Sequence, residues 1–156
     1  MRQATADIRH ILVAANTDPT EEEYAAALKQ AEELVEQWKA AGSTEDAFAQ
    51  LAAENSADTS SAQNGGLLNV STYDGYGQAF VDWALDPQRK TGDVGFVKND
   101  FSVTKGYHIM YYVDQAAPYW EQTAQSAILS VNFSIWQEEI LNRYPLEQAD
   151  GMKYVG

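Results

Sequence analysis

The chain has 156 residues, which at roughly 100 to 200 residues per domain is enough for one compact domain with a short addition. Its content of 45% apolar and 21% charged residues is typical of a folded globular protein and excludes a disordered acidic tail or a fibrous repeat. The formal net charge of −13 repels phosphate backbones and argues against a nucleic-acid partner. Because the chain has no cysteine, it has no disulfide framework, thiol nucleophile or thiolate zinc site.

The sequence contains no run of about 18 apolar residues that would span a bilayer. Its first residues, MRQAT, lack the apolar region of a signal peptide. A mature extracellular protein whose export signal has been removed would look the same, so the compartment stays open at this point.

The first predicted element is a buried strand, Asp7–Ala14, with His10 in its middle. Thr20 and Glu23 then form a capping box, which predicts the start of a helix. This helix is expected to end at Gly42, a natural residue for the turn that follows a helix. Its apolar residues form one stripe, namely Tyr24, Leu28, Ala31, Val35 and Trp38.

A second, shorter helix is predicted where Ser43 and Asp46 repeat the capping pattern. It is followed by a polar loop, Ser56–Gly66, which ends in Asn-Gly-Gly. Since glycine adopts positive φ at low cost, this ending predicts a sharp turn into a short strand, Leu67–Val70.

The remaining elements are a short helix, two strands and a long helix. Gln78–Leu85 has helical spacing, and Gly92–Val97 and Gly106–Val113 are expected to pair as a hairpin. A long helix is predicted from Tyr119 to about Tyr144, before a proline. This order predicts an α+β domain with a small, mainly antiparallel sheet of four strands, surrounded by helices and followed by a C-terminal helix.

Both histidines of the chain, His10 and His108, lie in strand-like apolar runs. If their strands are central neighbours in the sheet, the two imidazoles lie side by side on one face, where each ring nitrogen needs a partner. The alternative is two independent, half-buried histidines that hydrogen-bond to the backbone.

The polar loop holds a second set of candidate residues, Ser56, Asp58, Thr59, Ser60 and Ser61. Their hydroxyls and carboxylate could orient a histidine, although for the loop taken by itself ordinary turn chemistry is the better explanation. A metal site is not predicted, because no compact ligand motif is present. A Ser-His-Asp hydrolase is not predicted either, because the chain has no G-x-S-x-G turn.

Several motifs, taken in order, closely resemble the parvulin-type peptidyl-prolyl cis/trans isomerases. They cover about residues 6–114 and are DIRHILV at Asp7, FAQLA at Phe48, SADTSSAQNGG at Ser56, the segment Phe80–Leu85, and GYHIM at Gly106. One histidine in the first strand and another in Gly-aromatic-His-Ile near the end are a fairly specific combination. The acidic, cysteine-free chain with its flanking helix is most similar to the extracytoplasmic PrsA-like foldases.

The resemblance implies a set of site residues. It makes His10 and His108 the paired catalytic histidines, with Asp58 or Thr59 at the loop position where many relatives have Cys or Asp. It places the proline pocket at Leu68, Tyr76 and Phe80. The family's Gly-Asp-Leu-Gly is replaced here by Gly66-Leu67-Leu68-Asn69.

The resemblance also implies an activity. The expected reaction is non-covalent isomerisation of X–Pro bonds in polypeptide clients, without cofactor or metal, in the service of folding exported proteins. Phosphate-directed relatives carry basic residues after the first strand, whereas Ala14–Glu23 contains none, so phosphate-specific recognition is not expected. The alternative is a chaperone domain with the same fold that binds clients and isomerises little.

The predicted domain organisation is an isomerase domain over 6–114, a C-terminal helical segment over 118–145 and a tail over 146–156. The helix is apolar around much of its surface, which is explained equally well by docking onto the isomerase domain or by a chaperone or homodimerisation module. In the PrsA-like foldases that the chain resembles, segments on both sides of the isomerase domain build a chaperone module. Since almost nothing precedes Ala6, the resemblance predicts that the chain is a fragment of a longer, extracytoplasmic protein that is membrane-associated or at the cell surface.

Overall fold

The structure is a computed structural model that describes residues 5–72, 75–116 and 119–143. The chain divides into two compact units, Met1–Tyr119 and Trp120–Gly156. The elements in chain order are β1 (Thr5–Ala14), α1 (Glu21–Ala40), α2 (Glu45–Asn55), α3 (Thr59–Ala62), β2 (Leu67–Ser71), α4 (Gln78–Ala84), β3 (Val94–Asn99), β4 (Gly106–Ala116) and α5 (Tyr119–Arg143).

The first unit is built on a four-stranded antiparallel sheet in the order β2-β1-β4-β3. The two longest strands, β1 and β4, lie in the centre and pair from Thr5↔Ala116 to Ala14↔Gly106. The predicted α+β class and the antiparallel hairpin of the last two strands are confirmed. The pairing of β1 with β4 brings together the two strands that carry His10 and His108.

Alternation along the central strands creates two cores on opposite faces of the sheet. Ile11 and Ile109 point to the face covered by α1 and α2, whereas Ile8 and Met110 point to the face covered by α4. Because side chains alternate, His10 and His108 fall on the α4 face. The other residues of that core are Ala6, Val70, Phe80, Val81, Ala84, Val97 and Tyr112.

Helix α1 forms as the sequence predicts. The Thr20 hydroxyl accepts a hydrogen bond from the Glu23 N–H, and the Glu23 carboxylate accepts one from the Thr20 N–H, which completes the capping box. The buried stripe of α1 consists of Tyr24, Ala27, Ala31, Leu34, Val35 and Trp38.

The start of α2 differs from the prediction. Thr44 is its N-cap, and the Thr44 hydroxyl accepts a hydrogen bond from the Ala47 N–H. Ser43 does not cap because it lies in the left-handed region with φ 56°, still inside the turn that ends α1.

Other elements also differ from the prediction: β1 begins at Thr5 and β4 continues to Ala116. The predicted polar loop contains a one-turn helix, α3, which forms because the Asp58 carboxylate accepts from the Ser60 N–H. Strand β3 begins at Val94 rather than Gly92, since Gly92 has φ 93° and belongs to the preceding turn. It continues to Asn99, past the predicted end, where the buried asparagine side chain bonds to the following loop.

Helix α5 belongs to the second unit apart from its first residue and starts at the predicted Tyr119. Its predicted end near Tyr144 and the tail over 146–156 lie outside the described residues. In the ranges that the structure describes, no helix combines the length and apolar character needed to cross a bilayer.

Candidate active site

The two imidazoles meet on the α4 face of the sheet. Leu12 pairs with His108 and His10 pairs with Met110, so the histidines are diagonal neighbours on adjacent strands. Their Nδ1 atoms lie 3.1 Å apart, and the ring centroids are 5.2 Å apart with a tilt of 30°. Both residues are buried.

The second nitrogen of His10 faces the polar loop. His10 Nε2 lies 3.0 Å from Asp58 Oδ2 and 2.8 Å from Ser61 Oγ, and the Ser61 hydroxyl donates to Asp58 Oδ2 at 2.7 Å. Asp58 and Ser61 are three positions apart, so the single turn of α3 places both on the side that faces His10. Ser60 donates to the other oxygen, Asp58 Oδ1, through its N–H and its hydroxyl.

The structure separates the two loop residues that the resemblance leaves open. Thr59 is exposed, and within the described ranges its hydroxyl has no hydrogen bond to either imidazole. Asp58 is the residue in contact with His10. Sequence reasoning assigned no role to Ser61 beyond membership in the loop cluster; its spacing of three from Asp58 was the available signal.

Backbone and side-chain hydrogen bonds anchor this loop to β1. The Ala57 N–H donates to the Leu12 carbonyl at 2.8 Å, and the His10 N–H donates to the Gly66 carbonyl at 2.9 Å. Arg9 Nη1 donates at 3.0 Å to the carbonyls of both Asn64 and Gly65, while Arg9 Nε donates at 2.9 Å to Glu45. The strand that carries His10 therefore also fixes both ends of the loop that carries Asp58.

Burial and hydrogen bonding set the protonation states. Burial, followed by the neighbouring His10, lowers the pKa of His108 to about 3, and Asp58 opposes this. Burial also lowers the pKa of His10 below 6.5, although Asp58 raises it through its charge and hydrogen bond. Burial alone would raise the pKa of Asp58, but the hydrogen bonds from Ser60 and Ser61 and the nearby His10 lower it to about 2. At neutral pH the site therefore holds two neutral imidazoles and one carboxylate.

The carboxylate determines which nitrogen of each ring carries the proton. An unprotonated His10 Nε2 would point its lone pair at a carboxylate oxygen 3.0 Å away, so Nε2–H is the stable tautomer. His10 Nδ1 then has a lone pair, and His108 Nδ1–H donates to it. His108 Nε2 is left as an acceptor, and among the described residues it has no hydrogen-bond donor. Asp58 thus sets the direction of the whole chain of hydrogen bonds.

An apolar cluster lies directly beside the imidazoles. The Phe80 ring meets His108 edge to face at 5.0 Å and His10 at 5.8 Å between centroids, and Tyr76 stacks on Phe80 at 4.8 Å. Leu68 packs against the same buried cluster. The three residues of the predicted pocket therefore share one apolar surface, and Phe80 joins that surface to both histidines.

A cavity of about 190 Å³ opens next to His108. Its walls include Phe80, His108 and Val97, and Phe101 from the loop between β3 and β4 also lines it. Phe101 had no role in the sequence-based prediction. Within the described ranges, no group of three His, Cys, Asp or Glu side chains could hold a metal ion.

The sequence of this domain matches a known protein family. A family model described as the PPIC-type PPIASE domain matches residues 1–116. The chain belongs to the PPIC-type peptidyl-prolyl isomerase family. Its PPIC-type domain is a peptidyl-prolyl cis/trans isomerase domain of the parvulin type, as the sequence motifs indicated.

Solved structures agree with the PPIC-type assignment. PrsA from Bacillus subtilis is 27% identical with a TM-score of 0.54, over 94% of this chain and 52% of that one. The peptidylprolyl isomerase PrsA from Bacillus anthracis has a TM-score of 0.54 over 80% of this chain and 48% of that one; at 21% identity it shows the fold alone. The chain spans about half the length of both proteins. No curated protein sequence matches the chain.

Proposed function

We propose that His10, His108 and Asp58 catalyse X–Pro isomerisation on a peptide whose proline ring packs against Phe80, and that the protein assists the folding of exported proteins. The observation that carries this proposal is the 3.1 Å contact between two neutral imidazoles at the edge of an apolar cluster. Leu68 and Tyr76 pack against the same apolar cluster as Phe80, which supports them as the remaining walls of the proline site.

The reaction requires binding chemistry rather than covalent chemistry. Rotation about the X–Pro bond breaks amide resonance at a barrier of roughly 18–20 kcal/mol, which makes the uncatalysed reaction take tens to hundreds of seconds. A site that binds the twisted amide more tightly than either planar form lowers this barrier. An apolar surface that holds the proline ring, combined with fixed polar groups near the carbonyl, meets that requirement.

Each polar residue then has a distinct role. His108 lines the cavity and presents its Nε2 lone pair, while His10 orients His108 and transmits the charge of Asp58. Asp58 and Ser61 hold His10 in one tautomer. Both imidazoles stay neutral, so neither needs to transfer a proton during the reaction.

The test is a proline-peptide isomerisation assay on matched variants. We expect His108→Ala and Asp58→Ala to lower kcat/KM by about 10-fold or more, a loss typical of removing one polar group that acts in the transition state. Thr59→Ala is the matched control from the same helix turn and should retain activity. Unchanged rates in both His10→Ala and His108→Ala would refute the proposal. A wild-type domain that binds peptides without isomerising them would favour the chaperone alternative.

The proposal also covers where the protein acts and on which clients. The 27% identity to PrsA over 94% of the chain supports a foldase that acts on exported clients outside the cytoplasm, at the membrane or the cell surface. The strongly acidic composition agrees with clients that do not carry phosphate groups. Fractionation of cells that express the full protein, followed by detection with an antibody, tests this location.

We also propose that residues 118–145 form a separate module through which two copies of the chain associate. Large apolar side chains of α5 are 38–69% exposed, more than a stable monomer usually leaves in contact with water. They are Ile128, Leu129, Val131, Phe133, Ile135, Trp136 and Ile140. Light scattering at rising protein concentration tests this association, and a strict monomer would contradict it.

A further inference from the structure

The loop between β3 and β4 holds an aromatic ring beside the cavity at His108. Phe101 is 54% exposed, and part of its ring lies against the backbone of Gly77, the residue that caps α4. A Cβ atom placed at Gly77 would be 2.6 Å from Phe101 Cδ1, closer than real side chains allow. The absence of a side chain at Gly77 therefore lets the ring lie at the cavity that Phe80 also lines.

A buried asparagine holds this loop in place. Asn99 Nδ2 donates to Ser102 Oγ at 2.7 Å and to the Thr104 carbonyl at 2.8 Å, and Ser102 Oγ donates to the same carbonyl at 2.8 Å. Phe101 lies inside this bonded turn. Because the turn is ordered before a ligand arrives, contact with the ring costs little conformational entropy.

The charges at the cavity further restrict the ligand. Lys98 lines the cavity, but its Nζ lies 3.9 Å from the centre of the Tyr24 ring and 3.7 Å from Glu21 Oε1, so it is occupied elsewhere. Asp100, also at the cavity, has no ion pair among the described residues. An acidic side chain is therefore disfavoured here, whereas an apolar one finds the exposed face of Phe101.

We infer that Phe101 is a specificity-determining residue that contacts the side chain next to the substrate proline and favours a large apolar or aromatic residue there. This inference rests on the proposed function, because it assumes that the proline ring occupies the Phe80 surface. The histidine pair acts on the amide itself and does not distinguish peptides by the residue next to proline. Phe101 would add that distinction.

The decisive measurement compares the affinity of two peptide pairs, with Phe or Ala before the proline and with Phe or Ala after it, by titration calorimetry. Wild-type protein should prefer the phenylalanine peptide in one pair, and Phe101→Ala should reduce that preference by about two- to tenfold, as expected for loss of one aromatic contact. Val103→Ala is the matched control, since Val103 lies in the same loop, is 84% exposed and does not line the cavity. It should keep the full preference.

Gly77→Ala provides an independent variant with Phe101 still present. At φ −53° alanine is tolerated by the backbone, but its Cβ forces the Phe101 ring away from the cavity. The preference should fall as it does in Phe101→Ala. Equal preferences in wild type, Phe101→Ala and Gly77→Ala would overturn the inference even if isomerisation is normal. Retained selective binding without isomerisation would refute the proposed catalysis and leave the inference standing.

Discussion

His10 Nδ1 lies 3.1 Å from His108 Nδ1, although the two residues are 98 positions apart in the chain. Two nitrogens at this distance form a hydrogen bond only if one of them carries a proton and the other does not. The direction of that bond follows from Asp58, whose carboxylate holds the far side of the His10 ring. A charge at one end of the network thus determines what the other end offers to a substrate.

The first prediction concerns these tautomers. In wild-type protein at neutral pH, nitrogen NMR should show His10 protonated on Nε2 and His108 protonated on Nδ1. Asp58→Asn keeps the shape of the side chain but can donate from its amide to His10 Nε2, which would move the proton of His10 to Nδ1 and that of His108 to Nε2. A wild-type protein with His10 protonated on Nδ1 and His108 on Nε2 would contradict the assigned direction.

The same substitution makes a prediction about turnover. Because His108 Nε2 would become a donor instead of an acceptor, Asp58→Asn should lower kcat by about 10-fold or more while the thermal unfolding midpoint changes little. Ser61→Ala should have a smaller effect in the same direction, since the carboxylate remains. Isomerisation rates and circular dichroism on both variants check this. A fully active Asp58→Asn protein would show that the direction of the network is irrelevant to catalysis.

The lowered pKa of the buried His108 predicts that the folded domain loses stability in acid. The folded pKa of His108, about 3, lies below the unfolded value of 6.5, so the unfolded state binds more protons between these values. The contribution of His108 to the free energy of unfolding is therefore fully present above about pH 6.5 and is lost as the pH drops towards 3. The lowered pKa of His10 acts in the same sense, and Asp58 extends the loss towards its pKa of about 2.

Urea unfolding between about pH 7 and about pH 4 measures this dependence. His108→Asn keeps a donor for His10 but cannot titrate, so the free energy of unfolding of the variant should fall less steeply with decreasing pH than that of the wild type. The two slopes should differ by up to about 1.4 kcal/mol per pH unit. The exposed carboxylates are common to both proteins and cancel in this comparison. Parallel pH curves for the two proteins would contradict the buried, neutral state of His108.

A different prediction concerns the turn that leads into β2. Gly66 has φ 71°, and a Cβ there would overlap the His10 carbonyl oxygen and lie 3.1 Å from Ala52 Cβ. Gly66→Ala should therefore lower the free energy of unfolding by about 1–2 kcal/mol because of the left-handed backbone, and by about 1–3 kcal/mol more because of the overlap. Gly42→Ala, at φ 101° with no atom within 4 Å, isolates the backbone contribution and should cost less. Equal unfolding free energies for the two variants would show that the close approach at His10 is unimportant.

The type and order of the elements along the chain could be predicted from the sequence because local signals agree with the tertiary structure. The capping box of Thr20 and Glu23 and the glycine turn before β2 both point to the observed fold. The pairing of His10 with His108 was a conditional expectation, since periodicity does not show which strands are neighbours or their register. Family motifs supplied that missing information.

The residues that sequence reasoning missed depend on geometry that appears only after folding. Ser61 reaches His10 because one helical turn forms within an apparently irregular loop. Phe101 reads as an ordinary exposed residue, and only the side chain of Asn99 and the bare backbone of Gly77 fix its position at the cavity. Hydrogen bonds between a side chain and distant backbone leave no periodic trace in a sequence.

The last prediction concerns α5, where the ring centroids of Phe133 and Trp136 lie 5.8 Å apart and both side chains are more than half exposed. If this helix joins two copies, Trp136→Glu should weaken association because a desolvated carboxylate without a partner is costly in an apolar interface. Gln137→Glu adds the same charge at the next, also exposed, position and serves as the control. In sedimentation experiments the wild type and Gln137→Glu should show a concentration-dependent dimer, and Trp136→Glu a monomer. Equal masses for all three proteins would remove α5 as the association surface, while leaving the isomerase site of the first unit unaffected.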